Sequence, residues 1–179
     1  LIAPATGNII GKLASGIADD LLTTTLMAQN KPVLICPAMN DKMLANPVVQ
    51  DNIKKLRQYG YEVMESGIGE LACKTSGSGR LPDIPVIIDA LESLLTPKDY
   101  EGEEVLVTAG PTQEPLDPVR YITNLSSGKM GYALATAARH RGASVTLISG
   151  PCALPAPPGV KMIGVRTALE MHEAVMKNF

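Results

Sequence analysis

Two stretches near the start of the sequence combine small residues with hydroxyl and amide side chains, which suits the binding of a polar ligand. They are Ala-Pro-Ala-Thr-Gly-Asn at residues 3–8 and Pro-Ala-Met-Asn at residues 37–40, and each follows an apolar run. Open α/β sheets bind ligands at strand carboxyl ends beside helix N-termini. The amide of Asn40 could hold a carboxylate without adding charge. Both stretches are also compatible with ordinary turns, in which Asn8 caps a helix and Asn40 is a turn residue.

A thiol stands in a glycine-rich segment, residues 65–85, that shows neither helical nor strand periodicity. Loops of this length usually move or carry function. With Lys74 and Arg80 nearby, Cys73 could donate a proton or act as a nucleophile, although a lone loop cysteine is also compatible with a structural or incidental role. Cys36 lies in an apolar run, so we expect it to pack in the core.

A further stretch places small and hydroxyl-bearing residues ahead of a predicted helix. Thr-Ala-Gly-Pro-Thr at residues 108–112 is followed by Asn-Leu-Ser-Ser-Gly-Lys-Met-Gly at residues 124–131. Backbone amides and hydroxyls in this pattern predict a cradle for nucleotide phosphate, and Gly131 would let the helix approach closely. The segment is not a Walker A motif, since Thr123 and Met130 stand where that motif needs Gly and Ser or Thr.

Composition narrows the classes of protein further. The net charge of −2 gives no basis for a nucleic-acid or membrane partner. The three cysteines are odd in number and far apart, which favours a reducing compartment, and with no apolar run long enough to span a membrane we expect a cytoplasmic protein. No Gly-x-Ser-x-Gly motif occurs, and His140 and His172 lack cysteines at metal-ligand spacing, so neither a serine hydrolase nor a protein-bound metal is expected.

The predicted elements follow the pattern of an α/β fold. Residues 96–104 are polar and break both periodicities, so we place the boundary between two domains there, at residues 1–98 and 99–179. The predicted fold class is α/β, with two Rossmann-like parallel-sheet units, each incomplete in this chain. In order we expect strands at residues 1–3, 33–36, 61–64, 105–107, 145–148 and 161–165, and helices at 12–29, between Asn46 and Gly60, at 86–95, at 128–141 and after a Thr167–Glu170 capping box.

Residues 1–98 resemble the homo-oligomeric flavin-containing cysteine decarboxylases. The motifs Ala-Pro-Ala-Thr-x-Asn, Lys-Leu-Ala-x-Gly-Ile-Ala-Asp-Asp-Leu-Leu, Pro-Ala-Met-Asn-x-x-Met and Leu-Ala-Cys with a following Gly-x-Gly-Arg occur in that family's order and spacing. The resemblance implies oxidation of a substrate thiol by flavin, loss of carbon dioxide, and return of hydride. It implies that Asn40 holds the substrate carboxylate beside Met43 of the same motif and that Cys73 supplies a proton. It also implies flavin mononucleotide (FMN) contacts at Thr6, Gly7, Asn8, Ile9 and Ala38.

Residues 108–131 resemble the opening of phosphopantothenate-cysteine ligases, Thr-Ala-Gly-Pro-Thr-x-Glu-Pro-x-Asp-Pro-Val-Arg-x-Ile-x-Asn-x-Ser-Ser-Gly-Lys-Met-Gly. This resemblance implies that Asn124 binds an acyl-nucleotide intermediate, that Mg²⁺ accompanies CTP, and that the nucleotide site is lined by Gly110, Ser126, Gly128 and Gly131. Both motifs in this order are typical of bacterial fusion enzymes of coenzyme A biosynthesis. Their small-molecule partners are phosphopantothenate, cysteine, CTP and phosphopantothenoylcysteine, and they are homo-oligomers, with trimers of the decarboxylase half and dimers of the ligase half.

The sequence departs from the decarboxylase pattern in several places. Gly7 stands where Ala is more usual, Leu44 where Trp is usual, and Lys74 where Gly follows the cysteine. The family's catalytic histidine, flavin-phosphate loop and remaining nucleotide contacts fall outside residues 1–179, so we expect an internal fragment that is inactive alone. Two alternatives remain: a flavin-binding regulatory module, disfavoured by the retention of Asn40 and Cys73, and an unrelated Rossmann protein, disfavoured by the lack of Gly-x-Gly-x-x-Gly after a strand.

Overall fold

The computed structural model describes residues 1–70 and 76–179, apart from the side chains of residues 70 and 76. The chain divides into two compact units, Leu1–Leu95 and Thr96–Phe179. Each unit combines helices with a three-stranded parallel sheet, which confirms the predicted α/β class with parallel-sheet units. Among the described residues, no helix is long and apolar enough to cross a membrane.

The first unit is built on a parallel sheet of order β1-β2-β3. Its elements are β1 (Ile2–Ala5), α1 (Gly7–Ala14), α2 (Leu21–Ala28), β2 (Leu34–Pro37), α3 (Asp41–Leu44), α4 (Pro47–Gln58), β3 (Glu62–Val63), β4 (Gly67–Glu70), β5 (Ser76–Arg80) and α5 (Ile84–Leu95). The central strand β2 is buried along its whole length. Strands of this kind are covered by helices on both faces of the sheet.

Two apolar clusters sandwich β2. The cluster with α1 and α4 includes Ile10, Leu13, Ile35, Ile53 and Leu56. The cluster with α5 includes Leu34, Cys36 and Ile87. Burial raises the pKa of Cys36, whose Sγ lies 3.5 Å from Met64 Sδ. The prediction that Cys36 packs in the core is therefore confirmed.

The prediction of a single helix across residues 12–29 is wrong, because α1 and α2 occupy that range with a turn between them. Gly16 follows α1 with a φ of +70°, a conformation that favours glycine and ends the helix. Leu21, one of the regularly spaced apolar residues on which that prediction rests, has a side chain that is 85% exposed. The helical spacing of apolar residues therefore continues across a turn that separates two helices.

Polar contacts fix the turn between α1 and α2. The Lys12 ammonium bonds to Asp19 at 2.6 Å and to Asp20 at 3.0 Å. Asp20 also caps α2, because its carboxylate accepts the N–H of Thr23 at 2.8 Å while the Thr23 hydroxyl accepts the N–H of Asp20. This reciprocal capping box starts a new helix where the spacing of apolar residues alone predicts continuation.

The sequence predicted a loop across residues 65–85. The structure instead has an antiparallel hairpin within this range, formed by β4 and β5. Glycines at 67, 69, 77 and 79 occupy its strands. Glycine has no side chain to alternate between the two faces of a strand, so the periodicity that identifies strands is missing. The helix expected between Asn46 and Gly60 is confirmed: Asn46 caps α4 through the N–H of Val48 at 2.9 Å.

The second unit is built on a parallel sheet of order β10-β9-β6. Its elements are β6 (Glu104–Ala109), β7 (Gln113–Pro115), β8 (Tyr121–Thr123), α6 (Lys129–His140), β9 (Ser144–Ser149), β10 (Lys161–Gly164) and α7 (Ala168–Asn178). Helix α6 packs on the sheet through Tyr132, Ala135 and Ala138. The predicted Thr167–Glu170 capping box is confirmed, whereas the antiparallel β7–β8 pair was not predicted.

The turn before α2 gives a prediction about pH. Hydrogen bonds from the backbone and hydroxyl of Thr23, together with Lys12, lower the pKa of Asp20 from 3.8 to about 2. A carboxylate with a lowered folded-state pKa stabilises the fold above its unfolded pKa of 3.8, and that stabilisation disappears as the pH falls towards 2. We expect the thermal unfolding midpoint of the wild type, measured by circular dichroism, to approach that of Asp20→Asn across this range. A pH-independent difference between the two would contradict the prediction.

Candidate functional site

The first candidate site lies where β1 and β2 end. The N–H of Ala38 donates to the carbonyl oxygen of Ala5 at 3.0 Å, which joins the loop after β2 to the last residue of β1. The start of α1 lies beside this loop, because a Cβ built on Gly7 would be 3.6 Å from both Met39 Sδ and Met43 Cε. The two stretches singled out near the start of the sequence therefore meet at one edge of the sheet.

Thr6 rather than Asn8 caps α1, so the alternative in which Asn8 is the cap is wrong. The Thr6 hydroxyl accepts the N–H of Ile9 at 3.4 Å. Asn8 lies in the first turn of α1 and is exposed. Ile9 is half-buried and packs against the core of the unit. The start of α1 thus exposes the amide side chain of Asn8, while the neighbouring Ile9 anchors the helix to the core.

Asn40 is half-buried and caps α3, accepting the N–H of Lys42 at 3.0 Å. This bond holds the amide at the carboxyl end of β2, which agrees with both alternatives weighed from the sequence, a turn residue and a ligand contact. Met43, three residues after Asn40, lies in α3 and is 50% exposed. Together they offer a polar group and an apolar thioether on the same short helix.

The β4–β5 hairpin is docked against the loop that carries Asn40. The N–H of Met39 donates to the carbonyl oxygen of Gly79 at 3.0 Å. Gly79 has a φ of +119°, and a Cβ there would overlap the Met39 carbonyl oxygen. A Cβ on Gly77 would lie 3.1 Å from the Cβ of Asp41. The proposed proton donor Cys73 lies outside the described residues, in the segment between these two strands.

The second candidate site lies where β6 and β9 end. The N–H of Gly150 donates to the carbonyl oxygen of Ala109 at 2.9 Å. Gly110, with a φ of +75°, faces the same turn, because a Cβ there would be 2.9 Å from the Gly150 oxygen. The predicted close approach of Gly131 is confirmed: a Cβ there would lie 2.5 Å from the Cβ of Ala109. Helix α6 therefore begins directly against the strand end.

The loop into α6 is organised by its own side chains. Asn124 Oδ1 accepts the N–H of Ser126 at 2.9 Å, and Ser126 Oγ accepts the N–H of Gly128 at 3.4 Å. Gly128 occupies the N-cap position with a φ of +75° and supplies no capping side chain. Lys129 adds a positive charge in the first turn and forms no ion pair with the described acidic residues. Exposed hydroxyl, amide and ammonium groups therefore border a helix start that suits an anion.

A third group of residues was missed at the sequence level. Tyr132, Ser149 and Cys152 bring a phenol, a hydroxyl and a thiol together behind Gly128. Tyr132 lies on the buried face of α6, and Cys152 belongs to a proline-rich loop. No local pattern signals this contact, since it joins positions 20 residues apart. Within residues 1–70 and 76–179, no group of three His, Cys, Asp or Glu side chains could hold a metal.

Glycine substitutions test how tightly the first site is built. We expect Gly79→Ala to lower the free energy of unfolding in urea by about 2 kcal/mol or more, because the new methyl group meets backbone at a positive φ. Gly7→Ala is the control, since its methyl group fits at ordinary contact distance and should change that free energy by less than about 1 kcal/mol. Equal effects of the two substitutions would show that the hairpin does not dock as described.

Comparison with known proteins agrees with this division of the chain. Residues 1–96 match the family described as Flavoprotein, and residues 100–179 match the DNA/pantothenate metabolism flavoprotein C-terminal domain. The coenzyme A biosynthesis bifunctional protein CoaBC of Vibrio cholerae is 51% identical over 99% of this chain. That of Bacillus subtilis is 52% identical over 98% of the chain. Each alignment covers 44% of the relative, so the chain spans less than half the length of these proteins.

A solved structure of the C-terminal domain of a coenzyme A biosynthesis bifunctional protein CoaBC is 53% identical over 43% of this chain and 39% of its own, with a TM-score of 0.42. The family resemblances drawn from the sequence motifs are confirmed by the family and relative matches. The chain therefore belongs to the Flavoprotein family, and nearly its whole length is homologous to the bifunctional proteins of coenzyme A biosynthesis.

Proposed function

We propose that the chain acts in coenzyme A biosynthesis as part of a bifunctional enzyme. Residues 1–98 would contribute to FMN-dependent decarboxylation of 4′-phosphopantothenoylcysteine to 4′-phosphopantetheine. Residues 99–179 would contribute to CTP-dependent ligation of 4′-phosphopantothenate with cysteine. The decarboxylase assignment rests on one observation above others: in a chain of the Flavoprotein family, the start of α1 and the Asn40 loop meet at the ends of two parallel strands.

The residues at this edge fit a flavin. The exposed Asn8 amide offers donors and an acceptor, while the thioethers beside Gly7 offer an apolar surface. A planar ring with polar edges needs both kinds of contact, a mostly apolar surround with a few placed polar groups. We assign FMN binding to the residues of α1 and the neighbouring loop, namely Thr6, Gly7, Asn8, Ile9 and Ala38. FMN would supply the redox chemistry of the reaction when bound.

Asn40 and Cys73 would handle the substrate. The Asn40 amide would hold the carboxylate of the cysteine moiety, with Met43 beside it. An uncharged amide orients the carboxylate but stabilises its charge less than a guanidinium would, which suits a group that leaves as neutral carbon dioxide while its negative charge stays on the substrate. Cys73 would donate a proton to the substrate after that loss. The docking of β5 on the Asn40 loop supports this division of roles, because β5 begins just after the segment that carries Cys73.

The second unit would bind the nucleotide. A first turn of α6 without a capping side chain, the positive charge of Lys129 and the small residue at Gly110 support a phosphate position at the start of α6. Ser126 and Gly131 complete the lining, the first with its hydroxyl and the second by allowing close packing. Asn124 would contact the acyl-nucleotide intermediate. Mg²⁺ would enter with the triphosphate and be held mainly by phosphate and water, as is usual for this ion.

We further propose a homo-oligomer, with trimers of the decarboxylase half and dimers of the ligase half. The exposed apolar side chains on α2, including Leu21 and Met27, and on the β7–β8 region, including Val119 and Ile122, are compatible with subunit contacts. Small molecules are the expected partners of both active sites.

Two asparagine caps allow a matched test of the carboxylate site. Asn40→Asp keeps a side-chain acceptor for α3 but places a negative charge against the substrate carboxylate, so we expect kcat/KM for decarboxylation to fall about 100-fold, since like charges in contact cost several kcal/mol. Asn46→Asp makes the same change at the cap of α4 and should leave kcat/KM unchanged. The measurement is carbon dioxide release by the full-length protein, with flavin absorbance recorded for each variant. Equal losses of kcat/KM in both variants would show that Asn40 does not hold the substrate carboxylate.

The same assay separates the enzyme from a regulatory module. A module without catalysis would be yellow with bound flavin, yet the wild type would release no carbon dioxide from 4′-phosphopantothenoylcysteine. Turnover by the wild type together with flavin absorbance supports the proposal.

Two glycines with positive φ test the nucleotide site. Gly128→Ala places a methyl group 3.2 Å from Cys152 Sγ at the helix start, whereas Gly102→Ala, also at a positive φ, meets nothing within 4 Å. Backbone strain should lower the thermal midpoint of both variants. We expect only Gly128→Ala to weaken binding of CTP with Mg²⁺, by about tenfold or more, measured by calorimetry on the full-length protein with ATP titrated in parallel. Unchanged CTP binding by Gly128→Ala would place the nucleotide elsewhere.

A further inference from the structure

Three buried or half-buried polar side chains meet behind the start of α6, and the proposed reactions do not use them. The Tyr132 hydroxyl lies 3.2 Å from Ser149 Oγ and 3.2 Å from Cys152 Sγ. Tyr132 and Ser149 are only 6% and 1% exposed. We call Tyr132, Ser149 and Cys152 the tyrosine cluster. Its members come from three segments: helix α6, the end of β9 and the loop that follows β9.

The tyrosine cluster touches both sides of the proposed nucleotide site. On one side, a Cβ built on Gly128 would lie 3.2 Å from Cys152 Sγ and 3.5 Å from Tyr132 Cε2. On the other side, the Ser149 hydroxyl donates to the Gly150 carbonyl oxygen at 2.8 Å, and a Cβ on Gly150 would overlap the carbonyl oxygen of Pro111. The cluster therefore fixes the separation of the helix start and the strand-end turns.

The loop after β9 needs such a support from side chains. Residues 150–159 contain prolines at 151, 155, 157 and 158. Proline has no backbone N–H, so this loop has few donors for backbone hydrogen bonds. A phenol on the adjacent helix supplies a fixed partner for Cys152, which is the residue of this loop closest to Gly128.

We propose that Tyr132 is a positioning residue of the nucleotide site, whose hydroxyl holds residues 149–152 against the start of α6 so that the backbone amides there face the phosphates. This inference rests on the proposed nucleotide binding by the second unit. Tyr132 does not touch the nucleotide in this role. It acts through Ser149 and Cys152, which set the position of the strand-end turn and of Gly128.

Ionisation of the cluster agrees with this role. Burial and the hydrogen bond with Cys152 raise the pKa of Tyr132, so the phenol keeps its proton at neutral pH. Burial alone would raise the pKa of Cys152, but the hydrogen bonds with Tyr132, Ser149 and the backbone of Leu154 together outweigh burial and lower it. The ionisation of Cys152 therefore reports whether the Tyr132 hydroxyl is in place.

The test removes a single oxygen atom. Tyr132→Phe keeps the ring and its packing, and Tyr59→Phe, at an exposed tyrosine of the first unit, is the matched control. In the full-length protein we expect Tyr132→Phe to raise the KM and Kd for CTP roughly three- to tenfold, the loss typical of one hydrogen bond, with kcat within about twofold of wild type. Ser149→Ala should have the same effect, and the double variant should add little to either.

A second readout does not depend on the nucleotide. The pH profile of Cys152 alkylation, followed by peptide mass spectrometry, should move to higher pH in Tyr132→Phe and stay in place in Tyr59→Phe. Packing alone would leave that profile unchanged, because the phenyl ring is retained.

The outcomes separate the two proposals. If the wild type binds CTP and Tyr132→Phe and Ser149→Ala bind it equally well, the positioning role is overturned while nucleotide binding stands. An unchanged Cys152 profile in Tyr132→Phe overturns the role as well. If the wild type binds neither CTP nor ATP with Mg²⁺, the proposed nucleotide function fails first, and the inference fails with it.

Discussion

One backbone hydrogen bond recurs at the functional edge of both units. In the first unit the N–H of Ala38 donates to the oxygen of Ala5 at 3.0 Å, and in the second the N–H of Gly150 donates to the oxygen of Ala109 at 2.9 Å. Each bond continues the parallel pairing one residue beyond the second strand, so two loops that are distant in sequence stay together past the sheet. A helix begins beside each bond. Side chains of two loops and amides of a helix start therefore converge at one point, and both candidate sites depend on that convergence.

Such convergence leaves no room for side chains at certain positions, which explains the glycines around it. Helix α6 packs so closely on the sheet that a Cβ added to Gly131 would lie only 2.5 Å from the Cβ of Ala109. Gly150 lies against the backbone of Pro111. In the first unit Gly79 serves the β4–β5 hairpin in the same way, because its backbone bonds directly to Met39. These positions suit backbone contact between segments, and a methyl group at any of them would push the contacting segments apart.

Much of this arrangement could be predicted from the sequence, because strands and capped helices leave local signals. Strand β2, helix α4 with its Asn46 cap and the close approach of Gly131 follow from apolar runs, cap residues and small residues at set positions. The failures have physical causes. The turn between α1 and α2 depends on the contact of Lys12 with Asp20, two residues that are eight positions apart in the sequence. The β4–β5 hairpin is rich in glycines, which give no alternation of apolar and polar side chains. The tyrosine cluster depends on the fold alone, since its parts adjoin only after α6 packs on the sheet.

The starts of α1 and α6 differ in a way that supports different ligands at the two sites. The Thr6 hydroxyl already satisfies the N–H of Ile9, and no charged side chain occupies the first turn of α1. The N-cap residue of α6 is Gly128, which supplies no capping side chain, and the first residue of the helix is Lys129. Unsatisfied amides and a cation raise the positive potential at a helix start, whereas an internal cap lowers the demand for an anion. A neutral ring edge would suit α1 and a triphosphate would suit α6, so electrostatics support the proposed assignment of flavin to the first unit and nucleotide to the second.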